Sequence, residues 1–263
     1  MMNCTEILMA RDKMEEECGV FGIYSKDRSE VAQITYYGLY ALQHRGQESA
    51  GISVSNFGEI VTYKGMGLTA DVFTSKTLEN LVGNAAIGHV RYSTTGASKL
   101  ENAQPLESRS KLGQIGVAHN GNLTNAKIIR ELLEDGGSTF NTTIDSEVII
   151  KMIARKANGN VEDAIRSTVG AIKGAYALVI LAGNKLVGVR DPYGIRPLCL
   201  GINENGDYIL ASESCAIDAV GGTLIRDILP GEMVIIDENG VKSIKYSENN
   251  KKAPCSFEHI YFA

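Results

Sequence analysis

Cys18 heads the short apolar run Cys18-Gly19-Val20-Phe21-Gly22-Ile23-Tyr24, directly after three glutamates, Glu15, Glu16 and Glu17. A cysteine in this place has two uses. It can be a buried structural residue, since free cysteine packs as a small hydrophobe. It can also be a nucleophile, which requires a partner that generates the thiolate. In the uncut chain the glutamates oppose a thiolate by like-charge repulsion. If the bond between Glu17 and Cys18 is broken, the new α-amine has a pKa of about 7.7–8.0, against about 8.5 for the thiol, and supplies a base within the same residue. The rival base is a histidine. His44, His89 and His119 lie in apolar-flanked or turn contexts, the last two near strand ends, where a histidine is equally at home as a structural residue.

Four further positions carry candidate chemistry. An arginine with an aspartate is what an α-amino-acid ligand demands, the guanidinium gripping the carboxylate and the carboxylate taking the ammonium. Arg91, entering a polar loop, and Asp145, at the start of a helix, fit that pair, although each alone reads equally as a solvated surface charge. Asn120-Gly121 is a tight-turn signal. It is also the composition of an oxyanion hole, a side-chain amide and a backbone N–H with no Cβ in the way. The sequence holds no HExxH, P-loop or strand-preceded GxGxxG pattern, so nothing in it encodes nucleotide chemistry.

These residues need a scaffold, and the patterning outlines one. Residues 18–25 predict a strand, and Val31, Ile34, Gly38, Ala41 and Leu42 form one stripe of a helix that ends near 43–46. Strands over 51–55 and 59–64 flank a turn with Asn56 and Gly58, a hairpin signal. A short helical piece over 71–81 precedes a strand over 85–92, which runs into the loop 93–98, a candidate lid. A strand over 115–118 is expected to end at the turn 119–122. Three helices follow, marked by Ile128, Ile129, Leu132 and Leu133, by Ile144, Val148, Met152 and Ile153, and by Val161, Ala164, Ile165 and Ile172. Strands over 177–181, 185–189, 198–202, 208–211, 229–237 and 241–246 then alternate with hairpin turns. Two strand-rich, antiparallel halves are separated by helices, unlike the strand-helix alternation of a parallel sheet.

A length of 263 residues with 44% hydrophobic and 22% charged residues suits one compact soluble domain with appendages. A net charge of −5 argues against nucleic acid or an anionic membrane as the main partner. No apolar run approaches the roughly 20 residues of a membrane span, and residues 1–17 lack the pattern of a secretory signal. The five cysteines are irregularly spaced, which fits free thiols and a cytoplasmic setting.

Five segments in order carry a resemblance: 18–22 (CGVFG), 42–51 (LQHRGQESAG), 88–94 (GHVRYST), 118–125 (AHNGNLTN) and 145–147 (DSE). Together they resemble the class II glutamine amidotransferase domain. The segments 43–47 (QHRGQ), 91–94 (RYST) and 189–198 (VRDPYGIRPL) are similar to the branch of that family that also carries a phosphoribosyltransferase domain. The resemblance spans residues 18–263. It implies an α+β fold, the four-layer αββα Ntn-hydrolase sandwich of two mainly antiparallel sheets with outer helices.

The resemblance also implies roles. Residues 1–17 would be a propeptide, 18–250 the glutaminase domain, and 251–263 the start of a linker to a phosphoribosyltransferase domain that is otherwise missing. Cys18 would attack the side-chain amide of glutamine, giving a γ-glutamyl thioester and ammonia. Asn120 and Gly121 would form the oxyanion hole, Arg91 and Asp145 would hold the α-carboxylate and α-ammonium, and Arg45 would support the Cys18 terminus. The glutaminase reaction would need no cofactor. The full-length enzyme would be a homo-oligomer using Mg2+ and phosphoribosyl pyrophosphate to make 5-phosphoribosylamine for purine synthesis. Cys255 resembles the first cysteine ligand of a 4Fe–4S cluster in the family's iron–sulfur branch, yet one thiolate cannot hold a four-cysteine cluster.

Overall fold

Strand β1 (Gly19–Tyr24) is buried along its whole length because it is covered on both faces. Val20 and Tyr24 point into a core between two sheets, while Phe21 and Ile23 point into a second core under a helix. Glycine permits both close approaches. A Cβ on Gly22 would lie 2.6 Å from Val179 of the opposite sheet, and one on Gly38 would press into the ring of Phe21. The computed structural model describes residues 18–27, 30–92, 97–248 and 252–255.

The first sheet has seven strands in the order β11 (Gly222–Asp227), β9 (Cys199–Asn203), β10 (Tyr208–Ala211), β1, β4 (Ala85–Arg91), β2 (Ser49–Asn56) and β3 (Glu59–Met66). The second has six, β13 (Gly240–Lys245), β12 (Glu232–Asp237), β8 (Leu186–Arg190), β7 (Gly174–Ala182), β6 (Gly113–Leu123) and β5 (Leu106–Ser110). Every pairing is antiparallel. Helices α1 (Val31–Ala41), α2 (Thr69–Val72), α3 (Ser75–Glu79) and α7 (Ser214–Ala219) close the outer core of the first sheet. Helices α4 (Ala126–Asp135), α5 (Ser146–Lys156) and α6 (Val161–Val169) cover the second. The layers therefore run helix, sheet, sheet, helix, as the sequence resemblance implied.

The hairpins fall where turn residues predict them. Phe57 and Gly58 both take positive φ, 51° and 102°, the geometry of the two-residue turn joining β2 to β3. One expectation fails. Asn120-Gly121 is not a turn, because β6 continues through it to Leu123 and stays in register with β7 down to Leu123 opposite Gly174. The predicted helical piece over 71–81 is two short helices, broken by extended backbone at Phe73 and Thr74. Strands β5 and β11 and helix α7 had no clear signal. Both strands lie at a sheet edge with side chains largely out in solvent, so neither has the apolar alternation of a buried strand. No described helix is long and apolar enough to cross a membrane. Residues 1–17, loop positions 93–96 and the tail 256–263 lie outside the described residues.

Candidate active site

Cys18 extends β1 by one residue beyond its pairing with β4. Gly19 stands opposite Val90, which sets Cys18 beside Arg91, the last residue of β4. The thiol lies 3.5 Å from the carbonyl oxygen of Tyr92, and the Cys18 carbonyl accepts from Arg45 Nε at 3.0 Å. Arg45 closes the 3-10 turn Gln43–Arg45 and is fully buried. Cys18 keeps partial solvent exposure, yet the atoms packed round its sulfur push the thiol pKa above its ordinary value. The Tyr92 carbonyl contact and the charges of Arg91 and Arg45 offset part of that rise, and Asp145 adds to it. The three charged residues singled out from the sequence thus converge on the sulfur. In the uncut chain the thiol is protonated at neutral pH.

Asn120 and Gly121 lie on β6, in the strand facing Cys18 across the sheets. His89 on β4 ties the two sheets together here, its Nε2 bonding the carbonyl of His119 at 3.0 Å. The Asn120 side chain is buried, and among the described residues nothing accepts from its Nδ2. A buried amide donor without an acceptor costs stability, so its retention points to a ligand. The backbone supplies a second donor. The N–H groups of His119 and Leu123 both leave β6 on the edge beyond β5, to Gln104 Oε1 at 2.9 Å and Asp145 Oδ2 at 2.7 Å. Strand alternation puts the Gly121 N–H on that same edge. Gly121 has φ +142°, open to glycine and strained for other residues.

Arg91 is buried and its Nη1 pairs with the carboxylate of Glu48 and contacts Ala97 O at 3.4 Å. Asn102 joins this side of the site to the other, donating to Ala97 O at 2.8 Å and Thr143 Oγ1 at 2.9 Å while accepting from Thr143 N at 3.0 Å. The backbone at Ala97 is thereby fastened to the loop that delivers Asp145. Asp145 sits at the N-terminus of α5, half-buried, with Oδ1 3.8 Å from His119 Nδ1. Glu48, Asn102, Gln104 and Glu213 are parts of the site that sequence reasoning did not single out. Glu48 lies inside a quoted segment, but the other three carry no signal short of their tertiary partners.

The histidines do not supply a base to Cys18. His44 is on the surface, bonded to Ala41 O and Glu213. His89 must donate to the His119 carbonyl, and burial drives its pKa down to about 3. His119 bonds Ser146 Oγ at 3.0 Å and is likewise held neutral by burial. Among the described residues, neither ring is bonded to the Cys18 sulfur.

The family described as "Glutamine amidotransferase domain" matches residues 89–219. Amidophosphoribosyltransferase of Bacillus subtilis (strain 168) is 45% identical over 251 residues, covering 95% of this chain and 52% of that protein. The relative of the same name from Archaeoglobus fulgidus is 46% identical, covering 94% and 54%. A solved structure described as the allosteric regulatory enzyme of purine biosynthesis superposes with a TM-score of 0.88 at 45% identity, over 94% of this chain and 52% of that one. The chain is similar to amidophosphoribosyltransferases along their glutamine amidotransferase part. It spans about half the length of the curated relatives it matches. The amidotransferase fold is thus the αββα Ntn-hydrolase sandwich. Cys255 of this amidotransferase segment bonds its backbone N–H to Ile195 O at 3.4 Å. The described residues contain no group of three or more His, Cys, Asp or Glu side chains able to hold a metal ion, so they do not assemble the four-thiolate set of a 4Fe–4S cluster.

Proposed function

We propose that this chain is the glutaminase part of an amidophosphoribosyltransferase, working through Cys18 once residues 1–17 are removed. The observation that carries this reading is the buried, unpartnered Asn120 Nδ2 beside the outward N–H of Gly121, two donors waiting for an oxyanion. The raised thiol pKa of the uncut chain explains why a local base is required.

The α-amine of Cys18 takes the thiol proton, and the thiolate attacks the side-chain amide carbon of glutamine. The carbonyl electrons pass to oxygen, where Asn120 Nδ2 and the Gly121 N–H hold the charge. Collapse of this adduct breaks the C–N bond, and the ammonium returns its proton so that ammonia leaves. Water then attacks the γ-glutamyl thioester, giving glutamate and the free thiol. Arg91 grips the glutamine α-carboxylate and Asp145 its α-ammonium. Arg45 holds the Cys18 backbone, and the loop after Arg91 closes over the bound glutamine.

In this reading residues 18–250 form the glutaminase domain and 251–263 lead toward a phosphoribosyltransferase half like that of the longer relatives. There the ammonia converts phosphoribosyl pyrophosphate to 5-phosphoribosylamine, with Mg2+, in a cytoplasmic homo-oligomer. The decisive experiment pairs intact mass with turnover. The active chain is expected to begin at Cys18, and Cys18→Ala is expected to abolish glutamine hydrolysis. Full activity in either an uncut chain or the alanine variant would refute the reading.

A further inference from the structure

Strand β10 pairs with β1 only as far as Phe21 opposite Ala211. Past that rung the next two residues take over the task. Ser212 donates its N–H to Val20 O at 3.0 Å, and its Oγ accepts from Val20 N at 3.0 Å. Glu213 reaches the preceding inward-facing residue through one intermediary. Its Oε1 accepts from Arg45 Nη1 at 2.5 Å, and Arg45 Nε donates to Cys18 O at 3.0 Å. His44 Nε2 lies 3.0 Å from Oε1 and 3.2 Å from Oε2, fixing the carboxylate from its other side.

This arrangement follows from charge burial. Arg45 has no exposed surface, and a guanidinium removed from water needs a counter-charge with good hydrogen bonds. Glu213 provides one. Burial pushes the Glu213 pKa up, but the bonds from His44 and Arg45 outweigh it and hold the carboxyl below its ordinary range. It is ionised at neutral pH.

We propose that Glu213 is a positioning residue for the Cys18 nucleophile, acting through Arg45 on the Cys18 carbonyl. The proposal rests on the reading of Cys18 as an N-terminal nucleophile. A first residue is held by the chain on one side only. The Arg45 bond to its carbonyl fixes the remaining backbone torsion, which determines where the amine and thiol stand relative to Asn120 and Gly121. Without the Glu213 carboxylate, Arg45 loses the counter-charge bonded to its Nη1, and Cys18 regains part of that torsional freedom.

The test uses the mature full chain and compares Glu213→Gln, Glu213→Asp and the double variant Arg45→Gln/Glu213→Gln in glutamine hydrolysis and thermal melting. Since a misplacement of about 1 Å costs on the order of 100-fold, Glu213→Gln is expected to lower kcat by roughly that factor. KM should stay within about 3-fold, because no contact with glutamine is removed. Glu213→Asp, which keeps the charge, is expected to recover part of kcat. The double variant leaves no buried unpaired charge and should regain the melting temperature, but not kcat. It carries the same readout if the single variant does not fold. Recovery of kcat together with the melting temperature would reduce Glu213 to a structural counter-ion and overturn the proposal, as would wild-type kcat in a folded Glu213→Gln. Full turnover in Cys18→Ala would instead overturn the underlying assignment of the nucleophile.

Discussion

Gly121 lies so tightly against Ala175 that a Cβ at position 121 would stand 2.8 Å from the Ala175 carbonyl carbon and closer still to its oxygen. The same residue has φ +142°, so space and backbone geometry both demand glycine. Gly121→Ala is expected to lower the melting temperature by roughly 5 °C or more, given about 1–3 kcal/mol of backbone strain before the clash is counted. Glutamine hydrolysis should be lost as well, since β6 can relieve the clash only by moving away from β7. A melting curve matching the parent chain would show that the strand has room the geometry denies it.

Asn120 gives the opposite balance of stability and activity. Its Nδ2 is buried with no acceptor among the described residues, so the amide costs stability in the free protein. Asn120→Ala is expected to reduce kcat by about 10²–10³-fold, the usual loss of one oxyanion donor, without lowering the melting temperature. A variant that loses stability in proportion to activity would mark Asn120 as a structural residue.

The contrast between these neighbours shows what could be read from sequence. The residue types offered candidates, each with an equally ordinary structural use; it was the resemblance carried by the five ordered segments that implied amide hydrolysis of glutamine. The local structure of Asn120-Gly121 was not legible. Asn-Gly reads as a turn because both residues tolerate positive φ, and only the rungs to Tyr176 and Ala177 of β7 keep it in a strand. Counter-charges were hidden for a related reason. Glu213 stands 168 residues from Arg45, and nothing local to either residue announces the pair. The antiparallel core, by contrast, was visible as alternation broken by turn residues, except at β5 and β11, where edge strands keep most side chains in water.

Arg91 Nη1 donates both to Glu48 and to Ala97 O, and its planar guanidinium can present paired N–H groups to a carboxylate. A lysine carries the charge but offers only a point donor. Arg91→Lys is therefore expected to raise KM for glutamine by about 10-fold, the loss of one charge-assisted bond worth about 1.5 kcal/mol, while kcat changes less. Steady-state kinetics over a wide glutamine range checks this. A fall in kcat at constant KM would place Arg91 with the reacting atoms instead of the α-carboxylate.

His89 makes the acid side of the stability profile predictable. Burial keeps the ring neutral, with a pKa of about 3, and outweighs the bond donated to His119 O, which on its own favours the charged form; an unfolded histidine titrates at about 6.5. Between those values the unfolded chain binds the extra proton, so stability falls as the pH drops through the window, by up to about 1.4 kcal/mol per pH unit for one such group. Above it His89 contributes no slope. His119, whose pKa burial also lowers, acts in the same sense. The ionised Glu213 adds a loss only at lower pH, once its carboxylate is protonated. His89→Gln keeps a donor for the His119 carbonyl but cannot titrate. Urea midpoints measured from pH 4 to pH 8 should therefore decline less steeply on acidification in the variant and coincide in slope with the parent above neutrality. Parallel curves across the whole range would mean that His89 exchanges its proton freely in the folded state, against its burial between the two sheets.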